Sequence, residues 1–150
     1  MAVTAFFYGL ALKDQWNTTS ADRVDWVTDT IKCSQHTNSY TAVQDTDQYW
    51  TNSLSANEVS SAGYVAGGVA LSGKSLTYTA GTNTVTFDAD DITWAGVTFT
   101  TRWAVIYKST GTTTTSHLFS YVNYGADNAI AAGNLSVQWA TGGIATIVAS

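Results

Sequence analysis

The chain reads as an all-β protein: a single-domain antiparallel β-sandwich, jelly-roll-like, preceded by an N-terminal arm or short helix. Three observations predict this. From Asn57 to Gly111, short apolar-alternating runs follow one another, separated by Gly, Asn, Ser and Thr. Their spacing of about ten residues is that of strands in sandwiches and barrels. Beyond residue 55 no helical periodicity of about 3.6 residues competes with the two-residue alternation. The chain has 150 residues and no proline, which suits one domain with one core and leaves the turns to Gly and Asn.

Residues 1–24 are read as an arm or anchor and 25–150 as the sandwich domain. In 2–16 (AVTAFFYGLALKDQW), Phe6, Phe7, Leu10 and Leu12 fit either one face of a short helix or an extended arm, and the polar NTTSADR follows as a hinge. Terminal segments stay loose unless tied down. Asp25 to Ser34 opens the β region, with Trp26, Val27, Ile31 and Cys33 on a strand broken by a Thr-Asp turn. Further on, Tyr49, Trp50 and Leu54 are spaced as one helical turn with Thr46 as its N-cap.

Strands are then predicted over Val69–Leu71, Lys74–Thr79, Asn83–Asp88, Ile92–Trp94 or Val97–Thr101, and Arg102–Lys108. Leu118–Tyr124, Asn134–Ala140 and Ile144–Val148 follow. Leu76 and Tyr78 share one face of their strand, Val85 and Phe87 one face of the next, and Ala80–Asn83 joins the two as a hairpin. Arg102–Lys108 is apolar on both faces apart from Arg102, which predicts a central strand. The polar run Thr112–Thr115 predicts a loop tip.

Charged residues make up 11% of the chain and the net charge is −5. The six Lys and Arg are scattered, so the basic patch that nucleic-acid binding needs is missing. A surface this poor in charge lacks the usual protection against edge pairing and suits an assembly. The lone Cys33 excludes an intramolecular disulfide and reads as a small buried hydrophobe. No apolar run approaches the roughly 20 residues of a bilayer span. No basic stretch precedes an apolar core at the N-terminus, so a soluble protein made in a reducing cytoplasm is expected.

Little in the chain promises chemistry. Asp88-Ala89-Asp90-Asp91 has the carboxylate density of a Ca²⁺ loop but not the Gly and distal Glu of an EF-hand, and reads as a solvated turn capping local backbone. Asp45 and Asp47 are a weaker version of the same pattern. His36 and His117 have no metal-ligand spacing and are expected on the surface. No nucleophile elbow is present, and Ser72-Gly73-Lys74-Ser75 lacks the glycine spacing and following helix of a phosphate loop. No enzyme activity, cofactor or metal is expected. Six Trp and eight Tyr supply either a stacking platform for sugars or core and interface anchors. Trp103 and Trp139 alternate as core residues do, whereas Trp16, Trp26 and Trp50 lie in the less regular first third.

Several pieces carry a family resemblance: DTIKCS from Asp29, TDQYWTNSLSANEVSSAGYVAGG from Thr46, LTYTAGTNTVTFDADDITW from Leu76, and TRWAVIYKSTGT from Thr101. FSYVNYG and LSVQWATGGI continue it. From about residue 25 onward the chain resembles small virion structural proteins of tailed bacteriophages, of the kind called decoration or cement proteins. The resemblance implies a non-enzymatic β-sandwich or jelly roll on the outer capsid surface, made in the host cytoplasm. Its partners would be the major capsid protein and further copies of itself, a homotrimer foremost and a dimer otherwise, with no nucleic acid and no membrane. The apolar N-terminal segment, with Phe6, Phe7, Tyr8, Leu10, Leu12 and Trp16, is the candidate capsid or subunit interface. The alternatives are a neck or tail position, and a host-carbohydrate-binding or adhesion module.

Overall fold

A computed structural model describes residues 2–3, 5–16 and 20–149. In chain order its elements are β1 (Ala2–Val3), β2 (Phe6–Phe7), α1 (Gly9–Gln15), a 3₁₀ turn (Ser20–Asp22), β3 (Ile31–His36) and α2 (Asn52–Ala56). Then come β4 (Val69–Ala70), β5 (Ser75–Thr79), β6 (Thr84–Asp88), β7 (Ile92–Lys108), β8 (Leu118–Trp139) and β9 (Ala145–Val148). The larger sheet has the order β1-β8-β7-β3-β4, with β2 added beside β8, and the smaller has the order β5-β6-β9. All pairings are antiparallel except that of β1 with β8. The all-β sandwich expectation holds. The jelly-roll refinement finds no support in these pairings: the six-stranded sheet grows on one long hairpin, and the three-stranded sheet stands apart from it.

That hairpin is β7 and β8, of 17 and 22 residues. It gathers into two strands what the alternation divides into shorter pieces. The register between them slips at several points, among them Trp94/Val97 and Thr101/Trp103. Each slip inserts or removes a residue, bends the strand and resets which face a side chain takes. Gly96, with φ of +66°, takes the left-handed conformation one such slip requires.

The central-strand reading of Arg102–Lys108 is correct, because β7 lies between β8 and β3. Its Ala104 and Ile106 pack with Ile31, Cys33, Trp26 and Phe119 beneath Phe87 and Ala145 of the smaller sheet. Its Trp103, Val105 and Tyr107 face the other way, against Tyr8, Ala11, Tyr40, Trp50 and Leu54. The molecule therefore has three layers at this level: small sheet, large sheet, and a cover made by α1, α2 and the loop between β3 and α2. Each fully buried aliphatic side chain in these layers contributes about 1.5–3 kcal/mol.

The short helix near Trp50 starts later than expected. Thr51, not Thr46, is the N-cap of α2, while Val43–Asp47 is a turn held by the Asp47 carboxylate, which accepts from Val43 N and Tyr40 Oη, both at 2.9 Å.

Candidate interaction surface

The N-terminal segment is fastened to the body by its backbone. Ala5 N donates to the Ile144 carbonyl at 3.0 Å, Tyr8 N to that of Phe119 at 3.1 Å, and Gly9 N to that of Gln44 at 2.9 Å. The six candidate interface residues separate accordingly. Tyr8 is fully buried, its hydroxyl 2.7 Å from that of Tyr40. Burial, reinforced by Tyr40, pushes that phenol far above its ordinary pKa, so it keeps its proton as a hydrogen-bond donor. Phe7 is half-buried, edge-on to Phe87 and Phe119. Leu10 and Leu12 are also half-buried. Only Phe6, 56% exposed, and Trp16, 75% exposed, turn their rings to the outside.

Trp16 stands at an open apolar groove of about 580 Å³. The pairing register explains one wall. Leu76, Phe87 and Ala145 lie opposite one another across the small sheet, and Tyr78, Val85 and Ile147 form the next row on the same face. Phe87 and Ala145 of the first row cover the core, while Leu76 joins Val85 and Ile147 of the second in the groove. The facing wall is Trp16, Val24 and Trp26, with Gln15, Arg23 and Asp25 as its polar members. Trp26 is anchored by Nε1 donating to the Asp88 carbonyl at 3.1 Å. In the orientation that satisfies both its atoms, the Gln15 carboxamide brackets Val24, donating to its carbonyl at 3.2 Å and accepting from its N–H at 3.0 Å. The backbone N–H of Thr28, helped by that of Val27, holds the Asp25 carboxyl below its usual range. This groove is not legible from the N-terminal segment alone. Its signal is a hairpin whose Leu76/Tyr78 and Val85/Phe87 face stays apolar out to the turn.

Both histidines correct the surface expectation, since each is fully buried. His117 Nε2 lies 2.9 Å from Asp14 Oδ2 and Nδ1 lies 2.9 Å from the Leu118 carbonyl. Asp14 also accepts from Gln48 at 3.0 Å and pairs with Lys13 at 3.3 Å. Burial alone would raise its pKa, but the hydrogen bonds from His117, Gln48 and Lys13 outweigh burial and lower it. His36 accepts at Nε2 from Ser34 Oγ at 2.8 Å when its Nδ1–H donates to the Leu54 carbonyl at 3.1 Å. Ser34 and His36 are within the reach of a nucleophile and its base. Both are fully buried beneath Trp50 and Leu54, and the bond from His36 to the Leu54 carbonyl fastens α2 to β3.

The remaining candidate groups also hold backbone. Asp91 accepts from Trp139 N at 2.9 Å and Asp90 from Ser72 Oγ at 2.8 Å, so these carboxylates tie down segments remote in sequence, where capping of the local backbone was expected at 88–91. Glu58 accepts from Tyr64 Oη at 2.6 Å and Gly67 N at 2.7 Å. Burial raises its pKa against the pull of those bonds. Cys33 is buried as expected, and burial pushes its thiol up to about 12. Among the described residues, no three His, Cys, Asp or Glu side chains converge as a metal site would need. Comparison of the chain with protein-family models, with curated proteins and with solved structures finds no match in any of the three.

Proposed function

We propose that the chain is a non-enzymatic structural protein of a tailed-phage virion, one that decorates the outer capsid surface and stabilises it by binding across major capsid protein subunits. The sequence resemblance suggests this reading. The observation that carries it is the pair of outward rings, Phe6 and Trp16, on a segment whose backbone is pinned to a rigid sandwich. Exposed aromatics on a rigid support are the type of side chain that anchors interfaces. The net charge of −5 disfavours contact with packaged DNA and favours the outside of a shell. In this reading the protein is made in the host cytoplasm, joins the virion, and has the major capsid protein and its own copies as partners.

The test is co-sedimentation of the purified protein with undecorated heads of its own phage. Saturation at a fixed ratio to the major capsid protein is the expected result. Failure to bind heads while binding tails or necks would move the protein along the virion. A second reading, a carbohydrate-binding or adhesion module, is favoured by one arrangement: the Trp16 ring beside Gln15, Arg23 and Asp25 at the groove. Sugars bind by stacking on such a ring with polar groups at its edge. Intrinsic tryptophan fluorescence that host polysaccharides leave unchanged counts against it.

A further inference from the structure

We propose that β5 is the interface between two copies of this chain, paired antiparallel about a two-fold axis at Thr77. This goes beyond the virion reading and does not depend on it. β5 closes one side of the smaller sheet and pairs with β6 alone among the described strands. A regular strand directs alternate N–H and C=O groups to its free side, where they template another strand. Natural edges are guarded by charge, proline, bulges or shortness. β5 has none of these guards. Its sequence, Ser-Leu-Thr-Tyr-Thr, is uncharged, and its register with β6 is unbroken over five residues.

The other edges are less open. β4 has two residues. β9 has four, and Ile144 just before it already accepts from Ala5 N at 3.0 Å. The stretches of β7 and β8 that no third strand covers are broken by register slips, so β5 is the longest regular edge among the described strands, and its side chains are self-complementary. Antiparallel pairing centred on Thr77 sets Leu76 opposite Tyr78 of the second copy and Tyr78 opposite its Leu76. Both pairs fall on the face that packs over the core elsewhere in the sheet. Leu76 is 48% exposed and Tyr78 61% exposed in the single chain, and aromatic–aliphatic cross-strand pairs are among those that hold sheets together. On the opposite face Ser75 meets Thr79, and Thr77 meets itself. No like charges oppose one another anywhere along the strand. The result is a continuous six-stranded sheet across the two copies. An isologous contact of this kind closes at two, whereas β5 on β9 of a second copy would run on into a ring or fibre. A dimer therefore takes the place of the homotrimer that the resemblance implies.

Thr77 is exposed, so its variants leave the single chain intact. Light-scattering mass across a micromolar to millimolar series is expected to rise to twice the 16.0 kDa chain. Thr77→Lys and Thr77→Glu each place like charges across the axis, and each is expected to stay monomeric where the parent is dimeric. Mixing the two variants restores the dimer. Thr77→Cys is expected to crosslink copies on mild oxidation, because paired strands bring Cα atoms to disulfide distance and the buried Cys33 does not compete. Thr112→Cys, in the β7–β8 loop, does not crosslink. A chain that stays monomeric throughout, a dimer indifferent to charge at Thr77, or a mass climbing past two copies would each overturn the proposal.

Discussion

A Cβ at Gly68 would lie 1.9 Å from the Cys33 carbonyl oxygen, at a φ of +72°. β4 can lie against β3 only because that side chain is absent. Both the backbone conformation and the overlap oppose Gly68→Ala, and together they cost about 2–5 kcal/mol. A urea midpoint equal to that of the parent would mean the β3–β4 approach is far looser than the structure has it. His36 shows a different dependence. Burial outweighs the Leu54 carbonyl and depresses its pKa from 6.5 to about 4. Between those values the unfolded chain binds a proton that the folded chain refuses. The stability is therefore complete above about pH 6.5 and drains as the pH falls toward about 4, by up to about 1.4 kcal/mol per unit. Asp14 adds to the loss at lower pH still, because its folded pKa lies below 3.8 and its contribution disappears as the pH falls through that value. The urea midpoint is expected to fall steadily from pH 6.5 to 4.5. His36→Gln is expected to lower it at neutral pH and flatten the slope. A slope that survives the substitution would place the titrating group elsewhere.

Among the elements, the N-terminal segment contains α1, the short helix its sequence allows as the alternative to an arm. An arm that could be cut away would leave the domain unaltered. Here Ala5, Tyr8, Ala11 and Asp14 are interior residues, and Asp14 is the carboxylate partner of a buried histidine. Removing one partner of a buried hydrogen bond leaves the other unsatisfied, at about 1–3 kcal/mol. Asp14→Asn and deletion of residues 1–16 are both expected to lower the melting temperature, the deletion more. A truncated chain that melts with the parent would restore the arm. What was legible follows the range of the interaction. The β5–β6 hairpin could be read because Leu76/Tyr78, Val85/Phe87 and the Ala80–Asn83 turn are local signals, and the central strand because Arg102–Lys108 is apolar on both faces. The continuity of β7 was hidden by Gly96 and the register slips around it, which look like strand ends in a linear pattern. The histidines were misread because their burial depends on partners remote in sequence. Asp14 lies 103 residues from His117, and no spacing rule reports such a meeting.

At the scale of the whole molecule, two outward-facing features border one groove, whose walls include both Leu76 and Trp16. The β5 edge serves pairing between copies and is uncharged backbone with Leu76 and Tyr78. The N-terminal face serves the proposed capsid contact and offers Phe6 and Trp16. Trp16, 75% exposed, has most of its ring outside the fold, so removing it leaves the core and the hairpin intact. Exposed substitutions of this kind change stability by about 0.5 kcal/mol or less. An aromatic anchor buried in an interface is worth about 2 kcal/mol or more to binding, which is roughly thirtyfold in affinity. Trp16→Ala is therefore expected to melt with the parent, to keep its mass in light scattering, and to lose heads in co-sedimentation by that factor. Phe6→Ser is expected to behave in the same way, with a smaller loss for its smaller and less exposed ring. If both variants decorate heads at full occupancy, the N-terminal face is not the footprint. If Trp16→Ala instead lowers the melting temperature by several degrees, the ring supports the groove walls at Val24 and Trp26 and its exposure is not the mark of a docking site.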